Sequence, residues 1–220
     1  MSTLLLSSLL LSVAMATALV AWWRARGLGG AFLRWSGGLM VVAFAVETAC
    51  VVIRTAGHTN TWLYNSFTVV EFLLMLRLVA CLLPHRRTAL AVTAALGLLA
   101  MGAAYLRSGS TDFLLGEGII LLGAITCGWS LATLWSVAQR VDRSIVGSPS
   151  FWFFLGTLAY FGGIVPFVGM MRLLYRNDPE LTRVMYWIII VLAIVRYLLA
   201  AFAFHVARRQ GGWDEHRPRA

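Results

Sequence analysis

Lysine is absent from this chain: all 18 basic residues are arginine. Without lysine no retinal Schiff base can form, which excludes a covalent retinylidene pigment. Charge of either sign is scarce, at 12% of residues, where an ordinary soluble domain has about a quarter. Together with 60% hydrophobic residues this excludes a soluble globular domain and describes an integral membrane protein. Only three cysteines occur, Cys50, Cys81 and Cys127, in separate apolar runs with no CxxC and no histidine at ligand spacing. They provide no disulfide framework and no metal site, and read as small buried hydrophobes. None of His58, His85, His205 and His216 falls at mid-membrane, where a haem would need its axial ligand. No Ser/His pair or His/Asp cluster sits at matching depth, as an intramembrane hydrolase would require. No cofactor is therefore expected. Pro166 is the only proline inside an apolar run, with no equivalent three or four helices earlier, so the chain lacks the repeats and paired broken helices that mark many transporters.

What the sequence does contain is length in apolar runs. A spanning helix needs about 20 mostly apolar residues, and seven runs qualify: 3–23, 35–54, 62–83, 88–106, 113–138, 151–171 and 184–206. The fold expected is all-α and polytopic, with a seven-helix transmembrane domain over 1–206 and a short basic cytoplasmic tail over 207–220. The fourth run, rich in Ala, Leu and Gly, reads as a packing helix. Pro166 is expected to kink the sixth at Gly162-Gly163. The most polar link is RLLYRNDPELTR, between the sixth and seventh runs.

The net charge of +9 needs no polyanionic partner, because most arginines flank the runs, and nucleic acid is not expected. Eleven arginines (24, 26, 34, 86, 87, 140, 143, 208, 209, 217 and 219) fall on one side of a seven-span layout. Five (54, 107, 172, 176 and 183) fall on the other, with Arg77 and Arg196 inside runs. The positive-inside rule then puts the N-terminus outside and the C-terminus in the cytoplasm, in the cell inner (cytoplasmic) membrane. Ala14-Met15-Ala16 looks like a signal-peptidase site, but no basic residue precedes the first run and three follow it, so an anchored first helix is expected.

The informative residues are charges within the runs. Counted from the outer ends at 1.5 Å per residue, Glu47 lies about 10 Å deep, Glu71 about 14 Å, Arg196 about 18 Å and Arg77 about 22 Å. Left unpaired, four such charges would cost on the order of 10 kcal/mol, so each should meet protein, water or ligand. One arrangement is structural, with Glu71–Arg196 and Glu47–Arg54 as ion pairs and Arg77 snorkelling inward. The other is an outward-facing cavity binding a small polar ligand through Glu71, Tyr64, Asn65, Thr68, Glu47 and Arg196, since Tyr64, Thr68 and Glu71 share one stripe. A third makes Glu47 and Glu71 an acid and base, which requires the two to converge.

The pattern Tyr64-Asn65 followed by Glu71-Phe72 in the third run resembles one found in uncharacterised bacterial seven-helix membrane proteins of similar length. That resemblance implies architecture and transfers no activity. The function expected from the residues is binding or sensing of a small polar ligand, signalled through a membrane or cytoplasmic partner, with a solute or ion transporter or channel as the alternative. The cytoplasmic loops and basic tail would meet that partner or anionic lipid. The arginine asymmetry makes the topology testable: a reporter fused after Ala220 should read as cytoplasmic and one fused before Met1 as external. The reverse pattern would overturn the depths given above.

Overall fold

A computed structural model describes residues 3–108, 115–140, 144–177 and 179–213, with side chains described outside 3–5, 140, 171–183 and 185–186. Seven α-helices follow one another: α1 (Thr3–Ala25), α2 (Ala31–Thr55), α3 (Thr61–Leu82), α4 (Arg87–Ser108), α5 (Gly116–Arg140), α6 (Pro149–Asn177) and α7 (Pro179–Gln210). Each contains a stretch long and apolar enough to cross a membrane. The architecture is all-α and multi-pass, as composition and run length require.

The chain punctuates these helices with local chemistry. Gly29 and Gly30, at φ +73° and +94°, turn the chain from α1 into α2, a region L-residues with side chains avoid. Pro84 cannot continue α3 and starts the short turn into α4. Ser148 caps α6 by accepting from the Phe151 N–H at 3.4 Å, with Pro149 in the first helical position, where its missing N–H costs nothing. Gly211, at φ +72°, ends α7, and the Gly212 N–H returns to the Ala207 carbonyl at 3.1 Å.

Neighbour relations close into a ring in the order α1, α7, α6, α5, α3, α2 and back to α1. The odd-numbered helices finish at the end where Arg24, Arg86, Arg87 and Arg208 gather, here the Arg-rich end. In this ring α3 stands opposite α7, and α2 opposite α6. The fourth helix does not join it. It lies outside against α3 and α5, burying only the stripe Leu90, Gly97 and Met101 and leaving Leu96, Leu99 and Leu106 exposed. The expected packing helix is thus peripheral, because small residues spread around a helix do not choose a face; only those meeting a partner do.

A further expectation changes. The described residues of RLLYRNDPELTR are helical: α6 runs to Asn177 and α7 starts at Pro179. At 29 and 32 residues these helices are about 43 and 48 Å long, against about 30 Å of hydrocarbon, so they carry helix past the membrane core. Polarity had suggested a loop, yet Arg, Leu and Glu are good helix formers and proline suits a first turn. The helix α6 is continuous through Pro166, which sits on an exposed face. Gly163 also makes room for α7, since a Cβ there would lie 2.2 Å from Leu192 Cδ1.

At the other end of the chain, residues 207–210 belong to α7 rather than to a tail, and Trp213 folds back into the bundle. Its ring stacks on Phe32 of α2 (centroids 4.5 Å, 19° between planes) and its Nε1 donates to Ser150 Oγ at 2.9 Å. Phe32 also meets Phe153 of α6 edge-on at 5.3 Å, so this cluster joins α2 to α6 across the ring. Residues 214–220 lie outside the described residues.

The contact stripe of α4 gives a packing prediction. A Cβ on Gly97 would come within 2.5 Å of Phe72 Cε1 and 2.9 Å of Leu122 Cδ2, whereas one on Gly102 meets nothing within 4 Å. Gly97→Ala should cost roughly 1–3 kcal/mol through overpacking, and Gly102→Ala should be neutral or stabilising by up to about 1 kcal/mol. Unfolding midpoints in detergent check this, and equal effects would place α4 elsewhere.

Candidate functional site

Glu71 lies halfway along α3 and Arg196 near the middle of the membrane stretch of α7. Because α3 and α7 stand on opposite sides of the ring, their side chains meet in its interior. Arg196 Nη1 is 2.5 Å from Glu71 Oε1, and the two side chains keep only 5% and 8% of their exposure. Two full charges so far from water pay a desolvation penalty that close contact offsets only with good geometry.

That geometry is built by α6. Gly156 lets α6 approach α7 closely: a Cβ there would lie 3.2 Å from the Arg196 carbonyl oxygen and 3.4 Å from its Cα. With Gly163 seven residues on and meeting Leu192, one face of α6 fixes the height of α7 and with it the height of Arg196. Three rings then surround the guanidinium, Tyr160 and Phe161 from α6 and Tyr197 from α7, with centroids 4.9, 5.3 and 5.8 Å from Cζ. Ring faces within about 6 Å attract a cation electrostatically, so they replace part of the lost hydration.

A second polar contact lies nearer the end opposite the Arg-rich one. Tyr64 Oη donates to Glu47 Oε2 at 3.1 Å, joining α3 to α2. Its level is set by Tyr64, two turns before Glu71 on the same face of α3 and so about 10 Å away along the axis.

The six residues singled out from the sequence therefore divide. Glu71 and Arg196 form the buried pair, and Tyr64 and Glu47 the half-buried one. Asn65 is buried and structural, its Oδ1 accepting the Leu115 N–H at 3.1 Å where the chain enters α5. Thr68 donates to the Tyr64 carbonyl of its own helix at 2.9 Å. Glu47 and Arg54 are not an ion pair: Arg54 Nη2 reaches across to Ser8 Oγ at 2.9 Å. Seven-residue spacing put both on one face, but neighbouring helices supplied each with a closer partner. Glu47 accepts from Tyr64 and Glu71 pairs with Arg196. Arg77 is exposed at the α2–α3 seam, its guanidinium 5.4 Å from the ring of Trp35.

The residues that complete the site and that no sequence pattern singled out are Gly156 and the rings of Tyr160, Phe161 and Tyr197. A glycine seven residues before Gly163 on an aromatic-rich helix is a signal of close approach, readable only once the partner helix is known. Ser130, fully buried on α5 between Thr126 and Thr133, has the only buried side-chain hydroxyl without a hydrogen-bond partner among the described residues. The two threonines instead bond back to the carbonyls of Leu122 and Trp129 at 2.8 Å.

The chain matches no protein-family model, no curated protein and no solved structure. The resemblance carried by Tyr64-Asn65 and Glu71-Phe72 thus extends to seven apolar helices and no further, and the geometry has to carry the functional argument.

A buried pair makes a definite energetic prediction. Glu71→Gln or Arg196→Gln alone strands the partner's charge and should cost roughly 3–5 kcal/mol. The double substitution should recover most of that, which a double-mutant cycle on detergent unfolding midpoints would measure as coupling. Additive losses would mean that the two charges do not depend on each other.

Proposed function

We propose that this is a receptor-like multi-pass protein of the cell inner membrane, N-terminus outside, that binds a small polar ligand within the helix ring and passes the binding to a partner. The observation that carries the reading is the Glu71–Arg196 pair: charges inside spanning helices are costly, and they mark ligand or ion sites more often than scaffolding. The chemistry of the pair selects the ligand class. A zwitterion presents an anion to Arg196 and a cation to Glu71, and three ring faces beside the guanidinium suit a small cationic or planar group as well. Tyr64 and Glu47 lie on the approach from the end that the arginine asymmetry assigns to the outside.

The route to a partner runs along α7. Engaging Arg196 loads the helix whose end is held by Trp213 and by Gln210, which donates to the Gly147 carbonyl. A shift of α7 would therefore be felt at the Arg-rich face, where a cytoplasmic or membrane partner would bind. The alternative, transport of a small solute or ion, uses the same pair as a gate, because it crosses the ring interior. Acid–base catalysis by Glu47 and Glu71 draws no support from two carboxylates held by separate partners.

Purified protein should be titrated with small zwitterions, carboxylates and quaternary amines while its unfolding midpoint is followed. A zwitterion at a hundred times its Kd should stabilise the wild type by about 2.7 kcal/mol. The same ligand should leave the Glu71→Gln/Arg196→Gln double variant, which keeps its fold, unshifted. Equal stabilisation of both would place the ligand elsewhere, and flux of the stabilising ligand into proteoliposomes would favour transport over sensing.

A further inference from the structure

Outside the ring interior, a groove lies between α1 and α7, with a volume of about 420 Å³. Its floor is the outer face of α1, from Val13 through Thr17 to Val20, and Thr17 presents no free donor because its hydroxyl bonds to the Val13 carbonyl at 2.8 Å. Its head is made of three basic side chains, Arg24 from the last turn of α1 and His205 and Arg208 from the end of α7. All three are exposed, and no carboxylate among the described residues forms an ion pair with any of them.

The dimensions match one leaflet. From Val13 to Arg24 is eleven residues of helix, about 16 Å, which is half of a hydrocarbon core of about 30 Å. An apolar trough one leaflet deep, opening at its mouth onto two guanidiniums and an imidazole at the Arg-rich end, has the polarity profile of a single phospholipid seen from the side. Arginine at helix C-termini also complements the helix dipole. That effect explains Arg24 and Arg208 separately, not their convergence with His205 on one apolar groove.

We infer that the α1–α7 groove is a binding site for one anionic phospholipid, its phosphate held by Arg24, His205 and Arg208 and an acyl chain laid along Val13 and Val20. The guanidiniums supply charge and paired donors to phosphate oxygens, and the imidazole adds a third donor. The site touches α7 on the face turned away from the Glu71–Arg196 pair, so the lipid braces the outside of the ring and its occupancy is independent of any ligand within.

Native mass spectrometry of the full chain in a non-ionic detergent tests this with phosphatidylglycerol, phosphatidylcholine of the same chains, and inorganic phosphate. One phosphatidylglycerol should be retained in preference to phosphatidylcholine by about tenfold or more. Arg24→Gln/Arg208→Gln should lower that retention about thirtyfold, since each arginine near an anionic lipid contributes about fivefold. Arg86→Gln/Arg87→Gln, at the same end of the bundle but away from the groove, should retain the lipid as the wild type does. Val20→Trp keeps every charge and fills the trough, so it should also lose the lipid, and it carries the test if the arginine variant fails to fold. Equal retention of both lipids, undiminished retention in Val20→Trp, or displacement by inorganic phosphate at matched concentration would each overturn the assignment, the last by showing a free-anion site.

Discussion

The contact on which this bundle depends is the ion pair between Glu71 and Arg196 across the ring. In a spanning helix either charge alone would be costly, by roughly 2.5–3.5 kcal/mol at the centre on an insertion scale, so each residue is tolerable only where the other waits for it. This turns a local cost into a constraint on the whole assembly. The helices α3 and α7 must face each other at one height, and the four remaining ring helices must hold them there. Gly156 then has a reason to lack a side chain, because any Cβ would push away the backbone that carries Arg196. Pairing does not make the charges favourable relative to a well-packed apolar pair of the same shape, which is often the more stable arrangement. Their presence is explained by specificity of register or by function, and in either case the rings around Arg196 replace part of the hydration it has lost.

A second tie crosses the ring at the Arg-rich end and has opposite physics. Phe32, Phe153 and Trp213 are buried and joined by ring contacts, with one hydrogen bond, from Trp213 to Ser150. Ring contacts of this kind add geometric preferences to apolar burial, whereas breaking an ion pair in low dielectric strands two buried charges. The outlying α4 packs mainly against α3 and α5 and leaves much of its apolar surface exposed, so it takes no part in either tie.

Much of the architecture was legible because lipid makes hydrophobic length nearly sufficient: seven runs gave seven helices, with ends moved by a few residues. The ends moved outward most where polar residues follow, at α6 and α7, because helix propensity persists after hydrophobicity stops. Depth along each helix also placed Glu71 and Arg196 within reach of each other, which the ring made contact. What could not be read was azimuth and neighbour order. Asn65 and Glu71 are both polar residues on α3, yet one accepts a backbone N–H just before α5 and the other meets a guanidinium of α7. The partner of Glu47 was misassigned for the same reason, since a helical face names a direction without naming who stands there. Trp213 was invisible for another: a lone aromatic in a polar tail has no periodicity to betray its burial.

The two charges on α3 show how much the azimuth decides. Arg77 follows Glu71 by six residues, which at 100° per residue turns it about 120° away around the helix. Glu71 therefore enters the ring, while Arg77 emerges at the seam with α2 and rests by Trp35, a partly exposed ring near the Arg-rich end. There a long side chain can extend along apolar surface and keep its guanidinium near headgroups, so no internal partner is needed. Had the two positions been exchanged, an arginine on the inward face of α3 would meet Arg196 and the like charges would force the ring apart. The sign of the inward charge, and not the number of charges on the helix, is what makes α3 and α7 partners.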